Sequence, residues 1–453
     1  MLLVGGCVFK PHGAESERHD LNATADALGY ANGPSTRPRA PLPEVPATPS
    51  PRELLHRAFL SNGDLEATFH EWAMAVHRID QAGSFPTQRL ELGFDYMFSP
   101  ESMTAFDRTT TSIGLMDPTA LPSKVMASAT VAWRDAQAAG ERFRTQKFDL
   151  QTRVLQAWAE YALQAERIRI QGQNLQLLRL VATTAASRVR AGGSQQEQLR
   201  ADVAARLAEN ELASARAELS QQQARLNALL GRPEQSPLLP PAQLPEARPF
   251  DIDDDALLAA GVSNNPELAG LGRERAARLA AIDRARLEYL PEINIAAAFT
   301  GSLSQSIGAA ITLPTELPRI RSMIAEARSD LRRVEAAATQ RRSDRAADFL
   351  VAVLALRDAE RRGRVFEQDL LPLAGRTVEL ARQGYSSGSV TYLDLIDAQR
   401  TDLDVRLLFA EARTARERML AELEKLAGAD AERMIAGTST TRSATTTYTR
   451  GTP

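Results

Sequence analysis

The chain has 453 residues, 43% of them hydrophobic, 25% charged and 5% aromatic. That length suits two to four domains at ~100–200 residues each and is ample for a sizeable core. Its 54 basic and 57 acidic residues leave a net charge of −3, without the clustered basic surplus of a nucleic-acid binder. The basic residues are 50 Arg and 4 Lys. They interleave with Glu and Asp along helical stretches, as on solvated helix faces. A single cysteine, Cys7, excludes a disulfide framework and a Cys-rich metal site. No run of ~20 apolar residues offers a transmembrane helix, so any membrane crossing must be made by strands.

In chain order, residues 1–32 form an N-terminal segment that opens MLLVGGC. Val4, Gly5, Gly6 and Cys7 resemble the lipobox of bacterial lipoproteins, which makes Cys7 a candidate for lipidation. Only six residues precede Cys7 and none is basic, a truncated form of the usual signal. Residues 33–50 are Pro-rich and read as an extended linker. Residues 431–453 end in a polar, Thr-rich stretch expected to stay disordered.

Between these ends the sequence is written twice. Ser112-Ile113-Gly114 and Leu121-Pro122 recur as Ser306-Ile307-Gly308 and Leu317-Pro318. LNALLG (Leu226–Gly231) recurs as LEKLAG (Leu423–Gly428), and Ile79-Asp80 with Pro86 recur as Ile282-Asp283 with Pro291. The offsets run from 194 to 205 residues, so a whole structural unit is duplicated. The first repeat spans 51–232 and the second 253–430, with a linker over 233–252. Each is expected to hold one helix (Arg52–Ala82; Asp254–Tyr289), a β-hairpin (87–121; 291–317) and a long helical hairpin (122–232; 318–430).

The strand runs alternate strictly. Leu90, Leu92, Phe94, Tyr96 and Phe98 are separated by Glu91, Gly93, Asp95 and Met97. In the second repeat Ile293, Ile295, Ala297 and Phe299 alternate with Asn294, Ala296, Ala298 and Thr300. Ile307, Ala309, Ile311 and Leu313 alternate with Ser306, Gly308, Ala310 and Thr312. The run near Thr109–Met116 alternates less cleanly. Period two marks a two-faced strand. It fits a soluble sheet packed on helices, or strands of about 8–11 residues crossing hydrocarbon. In lipid four strands cannot close, so the membrane alternative requires several protomers to pool them.

Ser123–Ala191 contains no proline, and as one helix would reach ~100 Å. Val154, Trp158, Tyr161, Ala165 and Ile168 form a heptad-type stripe, read as a helix–helix seam. A turn at Gly192-Gly193 precedes the returning helix. In the second repeat the outgoing stretch Arg319–Gln383 meets Pro372, where a kink or a pair of stacked helices is expected.

Duplicated strand pairs joined to long helical hairpins resemble the TolC-like outer membrane factor family. The stretches that carry the resemblance are YSSGSVTYLDLIDAQR (Tyr385–Arg400), the turns SNGDL (Ser61–Leu65) and NNPEL (Asn264–Leu268), LPTELPRIRSMIAEA (Leu313–Ala327), and the closing LNALLG and LEKLAG. It covers about residues 51–430. The implied fold is mainly α with a small β part. Four strands per protomer would contribute to a trimeric, twelve-stranded transmembrane β-barrel above a periplasmic α-barrel.

The implied function is that of an outer membrane exit duct of a tripartite efflux system, conducting small molecules or ions passively, with no enzymatic activity and no cofactor. The implied partners are two further copies of the chain, a periplasmic adaptor, an inner-membrane transporter and outer membrane lipid. Asp394 and Asp397 match two acidic residues of the family's periplasmic gate, and Tyr385 matches a tyrosine that latches it. A basic latch residue of some members is replaced by Val390. Gly192, Gly193 and Gly388 fall at the turns where adaptor hairpins dock.

Independently of the resemblance, Asp394 and Asp397 at i, i+3 share a helix face. Rings of carboxylates favour cations in a pore. A pair of solvent-facing aspartates near a helix start, favoured there by the dipole, also fits. The three glycines equally fit ordinary turns.

The five histidines all precede residue 78, and no HExxH, phosphate loop or nucleophile elbow is present. No Met or His cluster marks the gate as a metal site. Within the duct reading, type I protein secretion is the alternative. From another class, a soluble coiled-coil scaffold would explain the long helices but not the alternating runs.

Overall fold

A computed structural model of the chain describes residues 8–30, 42–85, 90–98, 104–105, 109–115, 121–300 and 304–435. Cys7, Pro86, much of the Pro-rich linker and the tail beyond residue 435 lie outside the described residues. In chain order the helices and strands are α1 (Ala14–Leu28), α2 (Pro51–Ser61), α3 (Gly63–Gly83), β1 (Leu90–Tyr96), β2 (Thr109–Leu115), α4 (Pro122–Arg190) and α5 (Gln195–Leu229). The second repeat follows with α6 (Asp254–Ala260), α7 (Pro266–Arg286), β3 (Glu292–Thr300), β4 (Ser304–Thr312), α8 (Leu317–Val365), α9 (Leu371–Ser387) and α10 (Tyr392–Ala427). The chain is mainly α with a small β part, and its two halves repeat the same order.

Two compact units are built from these elements. One comprises residues 1–37, 67–144 and 266–342; the other comprises 38–66, 145–265 and 343–453.

The first unit holds the sheet, in the order β1-β2-β3-β4 with every neighbour antiparallel. Each repeat supplies one hairpin, and β2 pairs with β3 to join them. The register keeps the alternation in phase across both repeats. Leu92, Ile113, Ala297 and Ile307 lie in one row, and Phe94, Thr111, Phe299 and Gln305 in the next row of the same parity. Between them runs the row Gly93, Ser112, Ala298 and Ser306. A slip of one residue in any pair would mix the two faces.

Helix α1 belongs to this unit and was not foreseen in the N-terminal segment. Leu21 and Ala25 are buried, Arg18 pairs with Asp80 at 2.6 Å, and Trp72 Nε1 donates to Glu17 Oε1 at 2.8 Å. Burial pushes the Glu17 carboxyl up, and the bond from Trp72 partly offsets this. Phe9 N–H donates to the Gly83 carbonyl at 2.8 Å, and a Cβ on Gly83 would lie 2.1 Å from Phe9 O, so only glycine lets the two backbones meet.

Among the described residues the second unit contains helices and irregular segments and no strand. Here the expected single helix Arg52–Ala82 is two helices. Asn62 leaves helical geometry at φ −77°, ψ 119°, and its Oδ1 accepts from Leu65 N–H at 3.1 Å, which caps α3. The expected helix Asp254–Tyr289 is likewise interrupted. Gly261 at φ +48° ends α6, and Pro266 opens α7.

Both interruptions are tied to the closing motif of their own repeat. Ser61 Oγ donates to Leu230 O at 2.7 Å, and the buried Asn265 Nδ2 donates to Leu426 O at 2.9 Å. These bonds satisfy carbonyls at the ends of α5 and α10 that no helical N–H reaches.

At Pro372 the helix continues through a π-turn, Phe366–Leu370, in which Leu371 N–H reaches back to Phe366 O. Proline offers no N–H and crowds the preceding turn, and the wider turn relieves both. The start of the expected tail is ordered. Residues 431–435 are helical, with Ala431 buried and Met434 and Ile435 packed against the core cluster that includes Leu420, Leu423 and Phe349.

Candidate functional site

The expected gate residues lie where the two long hairpins turn. The first hairpin turns after α4, where Ala191 and Gly193 N–H both donate to Arg188 O at 2.9 Å and Gly192 stands at φ +95°. The second turns after α9. Gly388 at φ +84° donates to Tyr385 O at 3.2 Å, and Ser389 and Val390 N–H donate to Gly384 O at 2.9 and 3.2 Å. Positive φ explains Gly192 and Gly388 on backbone grounds alone. The helices leading into these turns are joined by one apolar cluster: Val181, Ala185 and Ala201 from the first hairpin meet Ala381, Tyr385, Tyr392, Leu395 and Ala398 from the second. The two turns therefore form a single packed tip.

Asp394 and Asp397 are both exposed at the start of α10, on the face away from the buried Leu395 and Ala398. Asp394 has a local structural role that spacing did not reveal. Thr391 Oγ1 donates to its Oδ2 at 2.6 Å, Thr391 N–H donates to the same oxygen at 3.2 Å, and Asp394 N–H returns a bond to Thr391 Oγ1 at 3.3 Å. This reciprocal box fixes the first turn of α10. Asp397 follows one turn later, and neither acid makes an ion pair among the described residues. The pair offers a fixed acidic patch, while two carboxylates alone do not make a metal site. No group of three His, Cys, Asp or Glu placed to hold a metal occurs among the described residues.

Tyr385 is only 3% exposed. Its ring meets Tyr392 edge-on with centroids 6.3 Å apart. Burial pushes its phenol above the ordinary value, and the charge of Arg188 partly offsets this. Its hydroxyl finds no hydrogen-bond partner among the described residues. Arg188, from the last turn of α4, stacks its guanidinium 4.0 Å from the Tyr385 ring centroid and donates from Nη2 to the Tyr385 carbonyl. Val390 fills the space over Gly384, where a Cβ would lie 2.3 Å from Val390 Cγ2. Of the residues named from sequence, the structure brings Gly192, Gly193, Tyr385, Gly388, Asp394 and Asp397 together. Cys7 lies outside the described residues. Arg188 and Thr391 were missed; the T-x-x-D spacing at 391–394 is a signal that could have exposed the second.

The sheet supplies a second surface. Leu92 and Phe94 on β1 are 69% and 74% exposed, and Ile311 and Leu313 at the other edge 64% and 67%. Large apolar side chains left bare at both edges are unusual against water.

Comparison with known proteins agrees with this architecture. Residues 258–429 match the family described as "Outer membrane efflux protein". The cobalt-zinc-cadmium resistance protein CzcC of Cupriavidus metallidurans is 26% identical over 313 residues, 66% of this chain and 73% of that protein. The outer membrane protein OprJ of Pseudomonas aeruginosa is 26% identical over 409 residues, 83% of each chain. The outer-membrane channel OprN superposes with a TM-score of 0.71 at 18% identity, over 88% of this chain and 99% of its own. Over its second half the chain is thus similar to the outer membrane efflux proteins, and over most of its length it shares the fold of the outer-membrane channel OprN.

Proposed function

We propose that three copies of this chain form one exit duct, their sheets pooled into a twelve-stranded barrel in the outer membrane and their helical hairpins in the periplasm. The observation that carries this is the sheet. Its order leaves β1 and β4 at the two edges, and every neighbour is antiparallel. Edge β4 of one copy can therefore pair with β1 of the next without breaking the pattern. Closure removes the open edges that lipid does not tolerate, and the in-phase register gives the cylinder one apolar face.

The tip closes the duct at its periplasmic end. Three-fold symmetry sets Asp394 and Asp397 in two stacked carboxylate rings, which favour cations and repel one another as they approach. Tyr385 latches the closed form, and the exposed turns at Gly192, Gly193 and Gly388 receive the adaptor. Cys7 carries a lipid anchor. Transport is passive, and small molecules or ions pass. One relative is named for cobalt, zinc and cadmium resistance, so divalent cations are the first cargo to test.

Two measurements decide the matter. The detergent-extracted protein should have the mass of a trimer, and a monomer soluble without detergent would end the duct reading. In planar bilayers, Asp394→Asn together with Asp397→Asn should raise conductance and weaken block by multivalent cations. Unchanged single-channel behaviour in that variant would remove the aspartates from the gate.

A further inference from the structure

We infer that Arg188 is a positioning residue of the closed tip, tying the end of α9 in the second hairpin to the first hairpin, and that this contact must break for the duct to open. The inference rests on the tip being the gate and names what holds it shut. It begins from Val390, an apolar residue that packs on Gly384 and can donate no hydrogen bond from its side chain. A cation reaches Tyr385 from the other hairpin.

Three physical effects converge on Arg188. Its guanidinium lies 4.0 Å from the Tyr385 ring centroid, a cation–π contact against a ring that is 3% exposed and so shielded from water. It donates to the Tyr385 carbonyl, one of the last carbonyls of α9, as a charge-assisted bond. It also places a positive charge at a helix C-terminus, where the dipole favours it. The backbone of Arg188 is fixed in turn, since its own carbonyl accepts from Ala191 and Gly193 at 2.9 Å. Among the described residues Arg188 makes no ion pair with a carboxylate, which leaves its guanidinium to the ring and carbonyl of Tyr385.

The consequence reaches the acidic pair directly. After α9 ends at Ser387, four residues lead to α10, which carries Asp394 and Asp397. Fixing the end of α9 therefore fixes where those acids stand. The ring and the carbonyl of Tyr385 do the holding, and its hydroxyl makes no well-aligned hydrogen bond among the described residues.

The test uses the full-length trimer in planar bilayers, with the melting temperature measured in parallel. Arg188→Ala, which removes both contacts, should raise the open probability roughly tenfold, the scale of one cation–π contact with one charge-assisted hydrogen bond. Tyr385→Leu removes the ring and leaves the backbone carbonyl, so it should raise the open probability less, and adding it to Arg188→Ala should change little further. Tyr385→Phe should behave as wild type. Where Arg188→Ala yields no trimer, Arg188→Gln keeps a polar donor on a shorter side chain and loses the charge, and should open the duct to a lesser degree. A purely structural role would lower the melting temperature and leave gating unchanged. That result in Arg188→Ala, or in Arg188→Gln where it replaces it, would overturn the inference.

The Asp394→Asn, Asp397→Asn variant is read separately. If it is silent while Arg188→Ala opens, the aspartate gate falls and the clamp stands. If it opens while Arg188→Ala is silent, the clamp falls and the aspartate gate stands.

Discussion

Glu424 shows how a single buried group shapes the helical unit. It is 2% exposed, and its Oε1 accepts from Arg248 Nη1 at 2.8 Å and from Ala431 N–H at 3.0 Å. Its other oxygen is buried with no partner. Burial pushes its carboxyl above the ordinary range, and the Arg248 charge only partly restores it. A raised carboxyl means that the folded state holds its proton longer than the unfolded chain does. This group's share of stability is therefore present at low pH and falls as pH rises from the ordinary carboxylate value through the raised one. Glu424→Gln keeps an acceptor for both donors and supplies an N–H₂ in place of the unpartnered oxygen. Melting curves across that pH window should be flatter for this variant than for wild type. A parallel pair of curves would show that Glu424 ionises in the folded state as it does in the unfolded chain.

The same separation of charge from structure applies at the tip. Asp394→Ala removes the reciprocal bonds with Thr391 and should cost ~0.5–2 kcal/mol, as lost caps do. Asp394→Asn retains an acceptor for Thr391 N–H and should cost far less, so its effect on conductance reports charge alone. The i, i+3 spacing of Asp394 and Asp397 is visible in the chain. Arg188 is not, because its partner lies 197 residues away and nothing local marks an arginine at a helix end as a clamp.

At the scale of elements, two periods carried most of the information. Alternation of Leu92, Phe94 and Tyr96 located β1 to within two residues, because a strand half in contact with an apolar phase must alternate. The 69 residues of α4 were legible because nothing in them breaks a helix. Periodicity could not locate the interruption at Asn62, since the helical pattern runs through it. The break depends on a side-chain cap, and on Ser61 reaching a carbonyl 169 residues further along.

Helix α1 was missed because its burial depends on α3 and α4, far along the sequence. The π-turn before Pro372 was foreseen only as a disturbance.

Gly384 offers a test at this scale. A methyl group there would lie 2.3 Å from Val390 Cγ2. Gly384→Ala should destabilise the second turn by ~1–3 kcal/mol, the usual cost of overpacking. Val390→Ala in the same chain should recover most of it. Denaturant unfolding of the four members of that cycle measures the coupling. Independent, additive effects would mean that the turn relaxes freely around the new methyl.

For the whole molecule, duplication would let one short sheet serve the proposed duct. Each repeat contributes a hairpin of the same phase, and each ties its Asn-containing turn to its own closing motif through Leu230 or Leu426. In the proposed barrel the shared register would fix which side meets lipid, and this can be tested by two substitutions at adjacent positions. Phe94 stands in the apolar rows and is 74% exposed, while the neighbouring Asp95 stands in the opposite-facing row. An arginine on the lipid side of such a barrel costs ~2–4 kcal/mol near the midplane, whereas a lumen position tolerates charge and alters selectivity. Phe94→Arg should therefore deplete the membrane-extracted trimer, as counted by native gel. Asp95→Arg should leave the trimer intact and shift the reversal potential in a salt gradient toward anions. Equal loss of trimer in both variants would mean that the two faces are not distinguished by lipid, and the barrel would have to be rebuilt on a different register.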